Sequence, residues 1–329
     1  VYPTVVATAV YIFSSVFFYF QTERDRNQVR RAFAQYMAPS FVEQLTRQPE
    51  RLRLGGETRT LTIMFSDVRG FTQIAERYRD NPEGLTVLMN QMLTPLSREI
   101  MERHGTIDKY IGDAIMAFWN APLDDPDHAK HGCEAALEMI ARLSELNARR
   151  QADAAREGQN SAPMQIGIAL ATGVGMVGNM GSDLRFDYSV LGDTVNLASR
   201  LEGLTREYGV PIILSDATYK SGAEAFAAIE IDRVRVHGRD TVETIWTLLG
   251  DAQMAKDPTF KEFAEGFAQA LALYRTRDWL AAKSAFNDLR AASLRFQVEN
   301  LVELLLSRTA EFEHSPPPTD WDGATSIRK

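Results

Sequence analysis

Three short segments bring together residue types that could hold metal ions and grip phosphate. In the first, Phe65-Ser66-Asp67-Val68-Arg69-Gly70-Phe71-Thr72, an apolar run delivers Asp67 to a turn, Gly70 frees the backbone, and a helix begins at Phe71 or Thr72. A carboxylate beside a helix N-terminus is a place where Mg²⁺ and phosphate oxygens can share ligands. Alone, Asp67 fits a plain helix cap equally well. The second segment, Lys109-Tyr110-Ile111-Gly112-Asp113-Ala114-Ile115-Met116-Ala117-Phe118, sets Gly112-Asp113 at the tip of a hairpin between apolar strands. Two carboxylates brought together there repel, and a pair of hard cations is the usual resolution. The third runs from Asp187 through Ser189 to Arg200. Asn196 and Arg200 are four apart on one helix, hence on one face, where an amide and a permanent cation could hold a phosphoryl group. A surface Arg200 paired with Glu202 or Glu207 is the plainer alternative.

The elements needed to position these residues can be read from the pattern. Arg59–Phe65 alternates into an apolar run and reads as a buried strand. Residues 71–78 and 84–102 read as helices, and 105–119 as two strands joined at Gly112-Asp113. A helix follows around Cys133, then a strand over 164–171. Gly173, Gly175, Gly178 and Gly181 predict a glycine-punctuated hairpin. Asp193–Tyr208 reads as a helix with Asp193 as its N-cap, and strands at 210–214, 231–236 and 243–248 complete the set. The order strand, helix, strand, strand, helix, strand is that of an α+β, ferredoxin-like α/β sandwich.

Around this region, 57–250, lie three others. Residues 1–22 carry no charge and are long enough to span a bilayer as a helix. The arginines that follow place everything downstream in the cytoplasm by the positive-inside rule. Residues 23–56 form a charged helical connector. Residues 251–329 read as a helical, tetratricopeptide-like tail ending in Pro316–Pro318. Its single hairpin cannot bury its own face, so it should pack on something else. The chain begins without Met, from which we expect a fragment whose missing N-terminus holds further spans or a sensor domain. With 36 Lys and Arg against 44 Asp and Glu, the net charge of −8 argues against a nucleic-acid partner. The lone Cys133 excludes an intrachain disulfide and lies at helical spacing with apolar neighbours, as a core residue does.

Taken together, the three segments resemble the catalytic domain of the class III nucleotidyl cyclases. The resemblance covers about residues 57–250. It implies a homodimeric adenylate cyclase, anchored in the cell membrane with its catalytic domain cytoplasmic, that converts ATP to cyclic AMP and pyrophosphate. It implies two divalent metal ions, Mg²⁺ or Mn²⁺, on Asp67 and Asp113, with the Val68 carbonyl as a further ligand. Lys109 takes the place of the adenine-selecting lysine, and Asn196 and Arg200 those of the transition-state pair. In the family one protomer gives the metal aspartates and its partner gives the other three. Ser189 departs from the commoner Asp, or the Thr of one subgroup; its hydroxyl can accept from the adenine amino group. Phe71 and Thr72 fall on the substrate side of the metal loop. Arg239, in His237-Gly238-Arg239, stands where a triphosphate-contacting cation is expected, though a strand-end Arg fits as well. A guanylate cyclase is the nearest rival; a degenerate nucleotide-binding module and a chain whose main work is docking through its tail are the others.

Overall fold

The computed structural model describes residues 55–156, 158, 161–182, 185–235 and 241–326, with Tyr11, Phe13 and Ser14 nearer the N-terminus. Apart from those three residues, the expected membrane helix falls outside the described residues, as does most of the connector. Among the described residues no helix is long and apolar enough to cross a membrane.

Residues Gly55–Lys329 form one compact unit. Its first strand, β1 (Gly55–Val68), is followed by α1 (Phe71–Arg77), α2 (Pro82–Glu102), β2 (Thr106–Ile111), β3 (Ala114–Trp119), α3 (His128–Arg156) and β4 (Ile166–Ser182). The four strands lie in the order β2-β3-β1-β4, and every neighbouring pair is antiparallel. This is the expected ferredoxin-like layout, with α2 and α3 on one face. Leu88, Met92, Leu96 and Ile100 of α2 recur at helical spacing and pack with Cys133, Ala136 and Met139 of α3 over Met64, Ala117 and Ile168 of the sheet. Cys133 is fully buried, and burial pushes its thiol far above the ordinary range.

The sheet continues through β5 (Arg185–Leu191), which pairs with β4, and through β6 (Ile212–Ser215), β7 (Ala227–Arg235) and β8 (Val242–Gly250). Helix α4 (Asp193–Tyr208) covers the second face, with Leu197, Ala198, Leu201 and Leu204 in the core. The glycines at 173–181 lie on the first arm of the expected hairpin: β4 runs through them for 17 residues, and Met176–Ser182 pairs antiparallel with β5. At Gly173 the small residue gives clearance: a Cβ there would stand 2.6 Å from Thr194 Oγ1 on α4, which itself bonds the Val174 carbonyl at 2.9 Å. One local expectation is corrected here: Asp193 does not cap α4. Gly192 does, at φ 151°, where a Cβ would press on the β4 backbone. Gly173→Ala should therefore cost about 1–3 kcal/mol, read by urea denaturation.

The tail is four helices, α5 (Pro258–Arg275), α6 (Trp279–Asp288), α7 (Arg290–Arg295) and α8 (Glu299–His314), closed by β9 (Thr325–Ser326) against β7. Its core is continuous with that beneath α4. Phe263, Phe267, Phe286 and Leu305 belong to one buried cluster with Leu201, Tyr208, Ile231 and Val234. Arg308 of α8 locks the two together, bonding Glu207 at 2.6 Å and the buried Asp232 at 2.9 Å.

Candidate active site

The antiparallel pairing of β1 with β3 carries Ser66 opposite Ile115, so Asp67, one residue on, and Asp113, two residues on and just before β3, meet at the end of the two strands. Val68 N–H donates to Asp67 Oδ1 at 3.0 Å and fixes that carboxylate. The Asp113 carboxyl is pushed up to about 6, first by burial and then by the hydrogen bond and charge of Asp67. Two carboxyls this close together are a donor set suited to a hard divalent ion. Asp67, Asp113 and the Val68 carbonyl therefore fit the expected metals. Arg69 anchors the loop: its side chain donates to the carbonyls of Thr205 and Val210, and its backbone N–H to Gln165 O at 2.8 Å. Beyond Gly70, Phe71 is half-buried and Thr72 exposed in the first turn of α1.

Glu202, which the plainer alternative offered as a partner for Arg200, turns toward the metal loop, in a cleft of about 220 Å³ lined by Asp67, Val68, Arg69, Thr205 and Arg206. Burial, followed by the charge of Asp67, lifts its carboxyl to about 7. Glu207, the other suggested partner, bonds Arg308. At 100° per residue, Arg200 lies about 160° around α4 from Glu202, and Asn196 about 120°. The exposed Asn196 and half-buried Arg200 thus share a face turned away from this chain's own Asp67.

The structure also brings Lys109 and Ser189 together, with Lys109 Nζ 3.4 Å from Ser189 Oγ. Between them stands Asp108, which sequence reasoning missed. Its Oδ2 accepts from Ser189 Oγ at 2.7 Å, and its Oδ1 lies 3.2 Å from Lys109 Nζ. The register of β2 against β3 slips between Ile107 and Lys109, so Asp108 is a bulge residue. No sequence pattern marks that slip. Beside Lys109, Tyr110 and Ile111 are exposed, as are Val174 and Met176 of β4 and Leu191 of β5. Arg239 lies outside the described residues.

A second polar cluster, His104, Asp125 and His131, sits at the end of the β2–β3 hairpin away from its tip, with His131 Nδ1 2.8 Å from Asp125 Oδ2. Asp125 also accepts from the Asp127 N–H at 3.1 Å, so the cluster doubles as the lead-in to α3.

Residues 56–249 match the family model described as the adenylate and guanylate cyclase catalytic domain. Adenylate cyclase 1 of Rhizobium meliloti is 32% identical over 190 residues, 58% of this chain and 27% of that protein. The chain spans less than half the length of the curated relatives it matches first. The crystal structure of the adenylyl cyclase CyaB from P. aeruginosa is similar at a TM-score of 0.52 and 31% identity, covering 60% of this chain and 97% of that one. That of the guanylyl cyclase Cya2 is similar at 0.54 and 31%, covering 60% and 95%. With the paired aspartates, the lysine–serine contact and the matched span in agreement, the chain belongs to the class III nucleotidyl cyclases, the family of adenylate and guanylate cyclase catalytic domains.

Proposed function

We propose that this chain is the catalytic part of an adenylate cyclase that forms cyclic AMP and pyrophosphate from ATP at sites shared between two copies. The observation that carries the shared site is the facing of α4: Glu202 looks toward Asp67 of its own chain, while Asn196 and Arg200 look away. A second copy offers them a target. The exposed Tyr110, Ile111, Val174, Met176 and Leu191 supply an apolar surface for that contact.

The reaction is an internal displacement in which the ribose 3′-oxygen attacks the α-phosphorus and pyrophosphate leaves. Because both reacting atoms belong to one molecule, the protein's work is to fold ATP into an in-line pose and to neutralise charge. Asp67, Asp113 and the Val68 carbonyl would hold two divalent ions, which supply acidity at the 3′-hydroxyl and counter-charge at the triphosphate. Lys109 and Ser189 read the adenine edge. Asn196 orients the ribose, and Arg200 offsets negative charge on the α-phosphoryl group. Arg200→Ala should lower kcat roughly a hundredfold with a smaller change in KM, measured at saturating Mn²⁺.

We also propose, from the uncharged run over residues 1–22, that the chain is held at the cell membrane. The function is tested by incubating the purified chain with Mn²⁺ and either ATP or GTP. Cyclic AMP in excess of cyclic GMP supports the reading. The reverse outcome makes the chain a guanylate cyclase, and no product from either makes it a binding module.

A further inference from the structure

We infer that Asp108 sets the purine preference of the site by fixing the proton of Ser189. The inference rests on the cyclase reading above and concerns a residue that reading leaves without a role.

A serine hydroxyl is both donor and acceptor, so by itself it cannot tell the two purines apart. At position 6 adenine presents an amino donor and guanine a carbonyl acceptor. A freely rotating Ser189 would satisfy either. It does not rotate freely here. Its hydroxyl donates to Asp108 Oδ2 at 2.7 Å, an oxygen that also takes the Val190 N–H at 3.4 Å. Asp108 is 2% exposed, so water does not compete for that proton. Its other oxygen, Oδ1, lies 3.2 Å from the Lys109 ammonium, and the donor in the Asp108–Ser189 contact is the serine hydroxyl. What Ser189 Oγ can still offer a base is a lone pair.

Lys109 completes the pattern. An ammonium only donates, and its Nζ stands 3.4 Å from Ser189 Oγ. Side by side the two groups present one donor and one acceptor. Adenine meets them with the N1 lone pair and the 6-amino group. In the same pose guanine would set its N1–H against the ammonium and its O6 against the serine lone pair.

The bulge is what makes this possible. In a regular strand consecutive side chains point to opposite faces, and Asp108 and Lys109 could not both reach Ser189. The slip of register between Ile107 and Lys109 brings both to the same hydroxyl. Asp108 is thus a positioning residue for specificity: it converts an ambivalent serine into an obligate acceptor.

The test is Asp108→Asn in the whole chain, with kcat/KM measured for ATP and for GTP. The asparagine amide can donate to Ser189 Oγ and release the hydroxyl proton toward the base. The ratio of ATP to GTP efficiency should fall by about tenfold or more. Ser189→Ala should lower it as well, Ser189→Thr should keep it, and Asp108→Asn added to Ser189→Ala should change it no further. An unchanged ratio in active Asp108→Asn, or a further fall on the Ser189→Ala background, overturns the inference. Should Asp108→Asn fail to fold by circular dichroism, Ser189→Ala decides alone, and an unchanged ratio there is equally fatal. A parent chain making no cyclic nucleotide would instead remove the cyclase reading beneath it.

Discussion

Alanine at Asp67 or at Asp113 is expected to lower cyclic AMP formation by about a thousandfold, and mixing Asp67→Ala with Arg200→Ala to bring part of it back. The loss follows from the geometry of the pair. Each carboxylate is half of a donor set, and one acid alone is a weak holder of a hard cation. The recovery follows from the facing of α4. In a mixed dimer one site collects both lesions and the other collects none. Equal, freely exchanging amounts give half mixed dimers, each with one sound site of two, so about a quarter of parental turnover should return. The measurement is cyclic AMP per chain before and after the two variants are combined. Activity that stays at the level of the separate variants would show that Arg200 serves its own chain's aspartates.

The second large effect is on stability. Arg308→Ala should destabilise the unit by about 3 kcal/mol, lowering Tm by roughly 6–12 °C. Asp232 is 1% exposed and accepts from Tyr208 Oη at 2.6 Å, Thr325 Oγ1 at 2.8 Å and Arg308 at 2.9 Å. Two hydroxyls would remain after truncation, but the countercharge would be gone. An unpaired buried carboxylate is costly, whereas removing both charges is much cheaper. The pair Arg308→Met with Asp232→Asn should therefore recover most of the lost Tm in a thermal melt. A single variant as stable as the parent would mean that the tail adheres without this clamp.

What the sequence discloses depends on how local each signal is. Asp67 and Asp113 were legible because each closes an apolar strand at a turn, and strand pairing does the rest. The approach of Lys109 to Ser189 was legible only through the family resemblance, since nothing local ties β2 to β5. Asp108 was not legible at all: a bulge leaves no trace in composition, and without it a residue next to Lys109 belongs on the opposite face. Glu202 was not legible as a neighbour of Asp67. The alternative that paired it with Arg200 rested on proximity in sequence, while two steps along a helix turn a side chain nearly to the far side. The glycines of β4 do lie on one arm of a hairpin, but the close approach of Thr194 to Gly173 is a tertiary contact that no local pattern marks. The tail's helices showed in their aromatic spacing, but their common core with α4 is a tertiary fact that no periodicity encodes.

The clamp on the far end of α4 has a mechanical corollary. The helix is 16 residues long, roughly 24 Å of stiff rod. Its last turn is gripped by α8, while Asn196 projects from its opening turn and Arg200 from its middle. A tilt of a few degrees imposed at the gripped end would swing those two side chains by an ångström or so, enough to spoil an in-line displacement. On the proposed reading, a load on the tail would reach the phosphate-gripping pair through this rod.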